Sequence, residues 1–171
     1  MNILKLELTH FGKFHLKTIT FTSGLNIVYG KNEAGKSTIH AFVRSMLFGI
    51  PDTEEGNERY SHYLPWETPH DFCGRMWIKK DDKVYRIERN FLRPQPTVRI
   101  FDDETDESLQ PAKQHLRQIL SGLTETSYLN TICIEQLKSA TDPQLAKELE
   151  DMAVNASQSK NLNIDVKQAK Q

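Results

Sequence analysis

Hydrophobic residues follow two different periods along this chain. Near the N terminus, Leu4, Leu6 and Leu8 alternate with polar or charged residues, which predicts a half-buried strand. Alternation of this kind predicts strands at residues 3–8, 16–21, 75–78, 84–87 and 97–101. Because the charged segment 79–83 separates two of these runs, we expect a β-hairpin there. The sequence therefore predicts several short strands, two of them joined by a tight turn.

Helical spacing is clearest just after residue 38. Apolar residues recur there at intervals of three and four, namely Ile39, Phe42, Val43, Met46 and Leu47. Gly49 and Pro51 follow, which predicts that this helix ends near Phe48. Further helices are predicted at 112–121, at 127–130 and after Asp142, with a strand at 131–134 between the last two. The polar, proline-containing segment 51–72 is predicted to be a long surface loop.

A glycine-rich loop precedes the long predicted helix. The β-prone run Leu25–Tyr29 leads into it and is predicted to be a buried, central parallel strand. The loop residues are Gly30, Lys31, Asn32, Glu33, Ala34, Gly35, Lys36, Ser37 and Thr38, and the first eight of them fit G-x-x-x-x-G-K-[ST]. A strand before this pattern and a helix after it are the context of a phosphate-binding P-loop.

The residue types in this loop suit a phosphate chain. Glycines let backbone N–H groups approach the α- and β-phosphates, and the N terminus of the following helix favours an anion. Lys36 supplies a positive charge for the β- and γ-phosphates, and the Ser37 hydroxyl is a ligand for Mg²⁺. The motif therefore predicts a nucleotide-phosphate site.

Composition narrows the remaining possibilities. The chain has 171 residues and a formal net charge of −1, so no overall field attracts it to nucleic acid or membranes. Cys73 and Cys133 lie far apart in sequence, which is typical of reduced thiols in a cytoplasmic protein. No segment approaches the roughly 20 apolar residues that span a bilayer. We expect a cytoplasmic protein that does not contact membranes.

The order of these elements resembles the N-terminal half of an SMC/SbcC-type ABC ATPase head, and most closely the bacterial YhaN-like AAA-domain proteins. The residues that carry the resemblance are 1–12, 24–38, 48–51, 63–66 and 134–136. It implies an α/β fold of the P-loop NTPase type, in which an ABC-head-like N-terminal lobe includes an antiparallel β subdomain. That lobe would cover residues 1–154, with the β-rich insert at 75–101, and the polar tail 155–171 would begin a linker or coiled coil.

The resemblance also implies cofactors, partners and roles. ATP and Mg²⁺ are the expected cofactors, with Lys36 on the phosphates and Ser37 on the metal. Gln136 would be the Q-loop glutamine, which contacts Mg²⁺ and the attacking water, and Asn32 lies where the family has its loop asparagine. Lys13 is a weaker candidate for a nucleotide contact. Hydrolysis would need a C-terminal lobe of the same protein and a second head in a homodimer, and the family acts in DNA repair or chromosome maintenance.

Two other functions stay open at this point. A complete small NTPase or kinase would need Asp102 or Asp103 to serve Mg²⁺ or the attacking group. A nucleotide-gated module could instead contact DNA or a protein through a basic stretch. That stretch consists of Lys79, Lys80, Lys83, Arg86, Arg89 and Arg93, and a solvated hairpin is its simpler interpretation. Tyr63 and Trp66 are interpreted as loop anchors rather than as groups that stack on adenine.

Overall fold

The computed structural model describes residues 1–133. Five strands and four helices occur in this range: β1 (Asn2–Phe11), β2 (Phe14–Thr20), α1 (Lys36–Phe48), α2 (Glu54–Tyr63), β3 (Cys73–Lys80), β4 (Lys83–Asn90), β5 (Thr97–Asp102), α3 (Ala112–Ile119) and α4 (Glu125–Thr131). Residues Met1–Gly122 form one compact unit, and α4 belongs to a second unit that starts at Leu123. In residues 1–133 no helix is long and apolar enough to cross a bilayer.

The strands form one antiparallel sheet in the order β2-β1-β3-β4-β5. β1 and β2 are joined by a turn at Gly12–Lys13, and β3 and β4 by a two-residue turn at Asp81 and Asp82. Both aspartates have positive φ, 50° and 64°, which matches the twist of a tight hairpin. The five strands predicted from alternation and the hairpin are confirmed, and the antiparallel sheet includes β1 and β2 as well as the predicted β-rich segment.

One face of the sheet carries the core. Alternate residues of β1, β3, β4 and β5 are fully buried there, namely Leu6, Leu8, Met76, Ile78, Ile87 and Ile100. α1 packs on this face through Phe42, and the centroids of the Phe42 and Phe11 rings are 5.1 Å apart. Gly74 lies directly below, because a Cβ on it would be 2.5 Å from two ring atoms of Phe42. The absence of a side chain at Gly74 thus lets the helix approach the sheet closely.

The opposite face of the sheet carries charged side chains of alternating sign. Glu7 of β1 contacts Lys5 at 2.8 Å and Arg75 of β3 at 3.5 Å. The Glu88 carboxylate on β4 forms ion pairs with Arg75, Arg86 and Arg99, each at 3.2 Å. An antiparallel sheet can expose one face to water, and these ion pairs fit that arrangement.

The C-terminal end of α1 is held by two arginines from other elements. The helix has no basic residue in its own last turn and ends at Gly49, where φ is 84°. Arg89 of β4 donates to the carbonyls of Met46 at 2.7 Å and Leu47 at 3.2 Å. The buried Arg59 of α2 donates to the Gly49 carbonyl at 3.2 Å. These cations stabilise the negative end of the helix dipole.

Two predictions about segments that follow α1 are wrong. Segment 51–72 is not one long loop, because α2 forms within it from the Thr53 cap, whose hydroxyl accepts from Gly56 N. The predicted strand at 131–134 is not formed over 131–133, because α4 already includes Thr131. That helix begins at the Thr124 cap, which accepts from Ser127 N at 3.0 Å.

Candidate nucleotide-binding site

The glycine-rich loop forms a closed turn that leads into α1. Gly35 is the N-cap of the helix and adopts a left-handed conformation, with φ 99° and ψ 15°, and no side chain caps the helix. Glu33 is also left-handed at φ 64°. Within the loop, Ala34 N donates to the Lys31 carbonyl at 3.2 Å. The first turn of α1 therefore presents its backbone N–H groups beside an exposed loop, as an anion site requires.

Both motif glycines are needed on steric grounds. A Cβ on Gly30 would lie 2.8 Å from the Cβ of Ala34, across the mouth of the loop. A Cβ on Gly35 would lie 2.4 Å from Cζ of Phe14, and the positive φ would strain any other residue there. The loop can keep this shape only with glycine at both positions.

Lys36 folds back over the loop from the first residue of α1. Its ammonium donates to the carbonyls of Gly30 and Lys31, both at 2.8 Å. An ammonium has three donors, so this geometry leaves capacity for a phosphate oxygen. Ser37 is exposed in the first turn of the helix, where its hydroxyl can face the same anion. The cation, the uncapped helix end and the hydroxyl together fit a Mg²⁺-bound phosphate chain.

The turn between β1 and β2 forms a wall of this loop. The Lys13 ammonium donates to the Glu33 carbonyl, and the Phe14 ring lies against Gly35. Sequence reasoning identified Lys13 but missed Phe14, because nothing in the linear pattern links an aromatic residue in β2 to a glycine 21 positions later. The structure thus brings Lys13 to the loop that carries Lys36.

The segment that leads into the loop does not form the strand predicted for it. Leu25–Tyr29 forms no strand, and Leu25, Ile27 and Tyr29 are 87%, 80% and 95% exposed. The physical reason is that a buried parallel strand needs neighbours on both sides. In the part of the chain that the structure describes, all five strands already belong to the antiparallel sheet, and none pairs with this segment.

Comparison with known proteins fits this geometry. A family model described as an AAA domain matches residues 1–159. The chain belongs to this family. The AAA domain is also 26% identical over 146 residues to the DNA double-strand break repair Rad50 ATPase of Thermococcus kodakarensis, a match that covers 80% of this chain and 15% of that protein.

A second relative matches a shorter part of the AAA domain. The uncharacterized protein YhaN of Bacillus subtilis is 43% identical over 56 residues, which is 32% of this chain and 6% of that protein. The chain therefore spans only a small fraction of both relatives. The predicted resemblance to the N-terminal region of SMC/SbcC-like ATPases is confirmed.

Gln136 lies outside the described residues of the AAA domain, as do the predicted helix after Asp142 and the tail 155–171. Its assignment to the Q-loop and to Mg²⁺ stays a prediction. Asn32 and Ser37 lie in the loop and at its helix end, as the motif requires. Tyr63 is an anchor, since its ring stacks on Phe11 at 5.3 Å, whereas Trp66 is exposed and does not act as one.

The acidic pair at the end of β5, Asp102 and Asp103, lies far from the phosphate-binding loop. Asp102 is paired through Tyr85 and Ile78 with Ile3, near the start of β1. The loop instead meets the Gly12 end of that strand. Asp102 is separated from β1 by three strand spacings of about 4.8 Å, and Ile3 is eight residues, each about 3.4 Å long, from the Gly12 end of β1. Together these two perpendicular distances put Asp102 roughly 30 Å from the phosphate-binding loop. Asp103 accepts from Trp77 Nε1 at 2.9 Å and from Arg86 at 3.4 Å.

The basic stretch does not form one cationic patch. Every member has a partner within the chain: Lys79 pairs with Asp82, Lys80 with Ser121, Lys83 with Asp102, Arg86 with Glu88, Arg89 with Met46 and Arg93 with Asn57. Burial lowers the pKa of Arg89 to about 10, so its guanidinium remains charged at pH 7 on the helix carbonyls. These contacts favour structural roles for the six cations.

Proposed function

We propose that this chain binds ATP with Mg²⁺ as the N-terminal half of an SMC/SbcC-like ATPase head. The observation that carries the proposal is the loop itself, where Lys36 lies over Gly30 at the uncapped end of α1. In the proposed complex Lys36 binds the β- and γ-phosphates, and backbone N–H groups of residues 30–38 bind the remaining phosphate oxygens. Ser37 and Gln136 would hold Mg²⁺, which neutralises charge on the β- and γ-phosphates.

The exposed segment before the loop supports the half-head part of the proposal. Leu25, Ile27, Val28 and Tyr29 form a β-prone apolar run directly ahead of the phosphate site. A run of this kind in water marks a surface for another chain segment. We assign that surface to the C-terminal lobe of the same protein, which would pair with the run as a strand and supply the residues that activate water. A second head, in a homodimer, would complete the site.

The names of the relatives indicate a broad biological process for the full-length protein but no specific reaction or partner. One relative is named as a DNA double-strand break repair ATPase, so we propose DNA repair or chromosome maintenance for the full-length protein. DNA remains a proposed partner of that protein. The contacts of the basic stretch give no support to DNA binding through the β3–β4 hairpin, and the position of Asp102 gives none to a complete small NTPase or kinase.

Equilibrium binding of a fluorescent ATP analogue with Mg²⁺ tests the ATP site. We expect the chain to bind the analogue and Lys36→Ala to abolish binding. Lys79→Ala is the matched control, because Lys79 is an exposed lysine whose partner is Asp82 at the hairpin tip. Equal binding by the chain and Lys36→Ala would overturn the ATP site.

Phosphate release by the same proteins tests the half-head separately. We expect release no faster than that of Lys36→Ala, since Asp102, the acidic candidate for a complete catalytic set, lies far from the loop. Robust release that Lys36→Ala abolishes would keep the ATP site and overturn the half-head, because a complete catalytic set would then lie within this chain.

A further inference from the structure

The phosphate-binding loop receives little support from the segment that precedes it. Residues 25–29 are exposed, form no regular element and pair with no strand of the described part of the chain. Glu33 nevertheless holds a left-handed conformation, which costs a non-glycine residue free energy and persists only where contacts impose it. The loop must therefore be shaped from another side.

The β1–β2 turn supplies contacts on that side at three successive residues. The Lys13 ammonium holds the carbonyl of Glu33, the residue with the strained backbone. The Phe14 ring fills the position that a Cβ on Gly35 would need, with Cζ and Cε2 at 2.4 and 2.8 Å from it. Gly12 lies so close to Thr38 that a Cβ there would be 2.9 Å from the threonine methyl group. The loop is bounded along its length by the turn.

The turn is itself fixed to the rest of the domain. Gly12 N donates to the Tyr63 carbonyl at the end of α2 at 2.7 Å. The Tyr63 ring stacks on Phe11, which is fully buried among the core aromatic rings. A turn anchored in this way can resist movement of the loop.

We propose that Phe14 is a positioning residue of the phosphate-binding loop. Its ring blocks the outward movement of Gly35, and Lys13 holds Glu33, so the first N–H groups of α1 stay aimed at one point before any nucleotide arrives. The consequence for nucleotide affinity rests on the proposed ATP site, whereas the consequence for loop order does not.

Hydrogen exchange without nucleotide tests loop order directly. In Phe14→Leu, which lacks both ring atoms near Gly35, we expect the amides of residues 30–38 to exchange roughly tenfold faster, with the urea midpoint little changed. Phe101→Leu is the control, because Phe101 is a comparably half-buried aromatic on the far edge strand β5. Equal loop exchange in Phe14→Leu, Phe101→Leu and the unmodified chain would overturn the proposal.

A double substitution keeps the test valid if Phe14→Leu is less stable overall. The cost of Gly35→Ala includes backbone strain and a clash with the ring, and only the clash depends on Phe14. We therefore expect Gly35→Ala to lower the urea midpoint less in the Phe14→Leu background. An identical cost in both backgrounds would show that the ring does not bound the loop.

Binding of the fluorescent ATP analogue tests whether Phe14 also affects nucleotide affinity. We expect Phe14→Leu to weaken its binding about tenfold and Phe101→Leu to leave it unchanged, since a small misplacement of binding groups is costly. If the unmodified chain binds no analogue, the proposed ATP site fails, and the exchange experiment still decides the role of Phe14. If the chain binds it and Phe14→Leu binds equally well, the positioning role fails.

Discussion

Replacement of Gly74 by alanine is predicted to disturb the docking of α1, the helix that carries the phosphate-binding loop. The new Cβ would lie 2.5 Å from Cε2 and Cζ of Phe42 and 2.8 Å from the Glu7 carbonyl oxygen. Phe42 is fully buried and packs against Phe11, so its ring has no free space to enter. The contact can be relieved only by a shift of the helix or of β3.

The expected cost follows from these distances. The optimal separation of non-bonded carbon atoms is about 3.5–4.0 Å, so the new Cβ would lie about 1 Å too close to the Phe42 ring. Overpacking of this kind costs about 1–3 kcal/mol. Part of this cost is offset, because glycine loses more backbone entropy on folding than alanine, which favours the folded alanine variant by about 0.5–1 kcal/mol. We expect Gly74→Ala to lower the free energy of unfolding by about 0.5–2 kcal/mol.

A double-mutant cycle in urea isolates the ring contact. Phe42→Leu removes both overlapping atoms, so Gly74→Ala should cost about 1 kcal/mol less in that background. Gly24→Ala is the control, because Gly24 has φ 94° and no atom within 4 Å of the added Cβ, and its cost should not depend on Phe42. Additivity of Gly74→Ala and Phe42→Leu within about 0.5 kcal/mol would refute the reasoning.

Two further predictions concern partly buried side chains, Arg89 and Cys73. Arg89→Met should lower the free energy of unfolding by about 1–3 kcal/mol, since the carbonyls of Met46 and Leu47 lose their charged donor, with Arg89→Lys intermediate in urea denaturation. A neutral effect of Arg89→Met would contradict this role. Burial, and secondarily the charge of Asp71, raises the pKa of the Cys73 thiol. The pH midpoint of its alkylation by iodoacetamide, followed by peptide mass spectrometry, should therefore lie above that of an unstructured cysteine peptide measured alongside, and an equal or lower midpoint would contradict the prediction.

Sequence patterns predicted those elements whose signals are local. α1 could be predicted because its apolar residues repeat at helical spacing and Gly49 ends it. The β3–β4 hairpin could be predicted because alternation stops at two aspartates and then resumes. In both cases the period of the buried residues and the stop signal lie within about fifteen residues.

α2 lacked such a signal. Its buried residues are Gly56 and Arg59, neither of which marks a hydrophobic face, so only the Thr53 cap and the acidic first turn indicated a helix. For Leu25–Tyr29 the sequence signal was present, but the predicted strand did not form. The composition suits a buried strand, whereas strand formation also requires neighbouring strands to pair with. The contacts of Phe14 with Gly35 and of Arg89 with α1 join residues far apart in sequence, and no periodicity contains them.

The three arginines around Glu88 have a consequence for how the open face of the sheet meets other molecules. Because a single carboxylate lies among Arg75, Arg86 and Arg99, positive and negative potentials alternate there over distances shorter than the screening length of physiological salt. A polyanion that approaches this face meets arginine groups whose donors are shared with Glu88, rather than a row of unpaired cations. We therefore expect the uncharged apolar segment beside the phosphate-binding loop, rather than this face, to be the favoured surface for assembly.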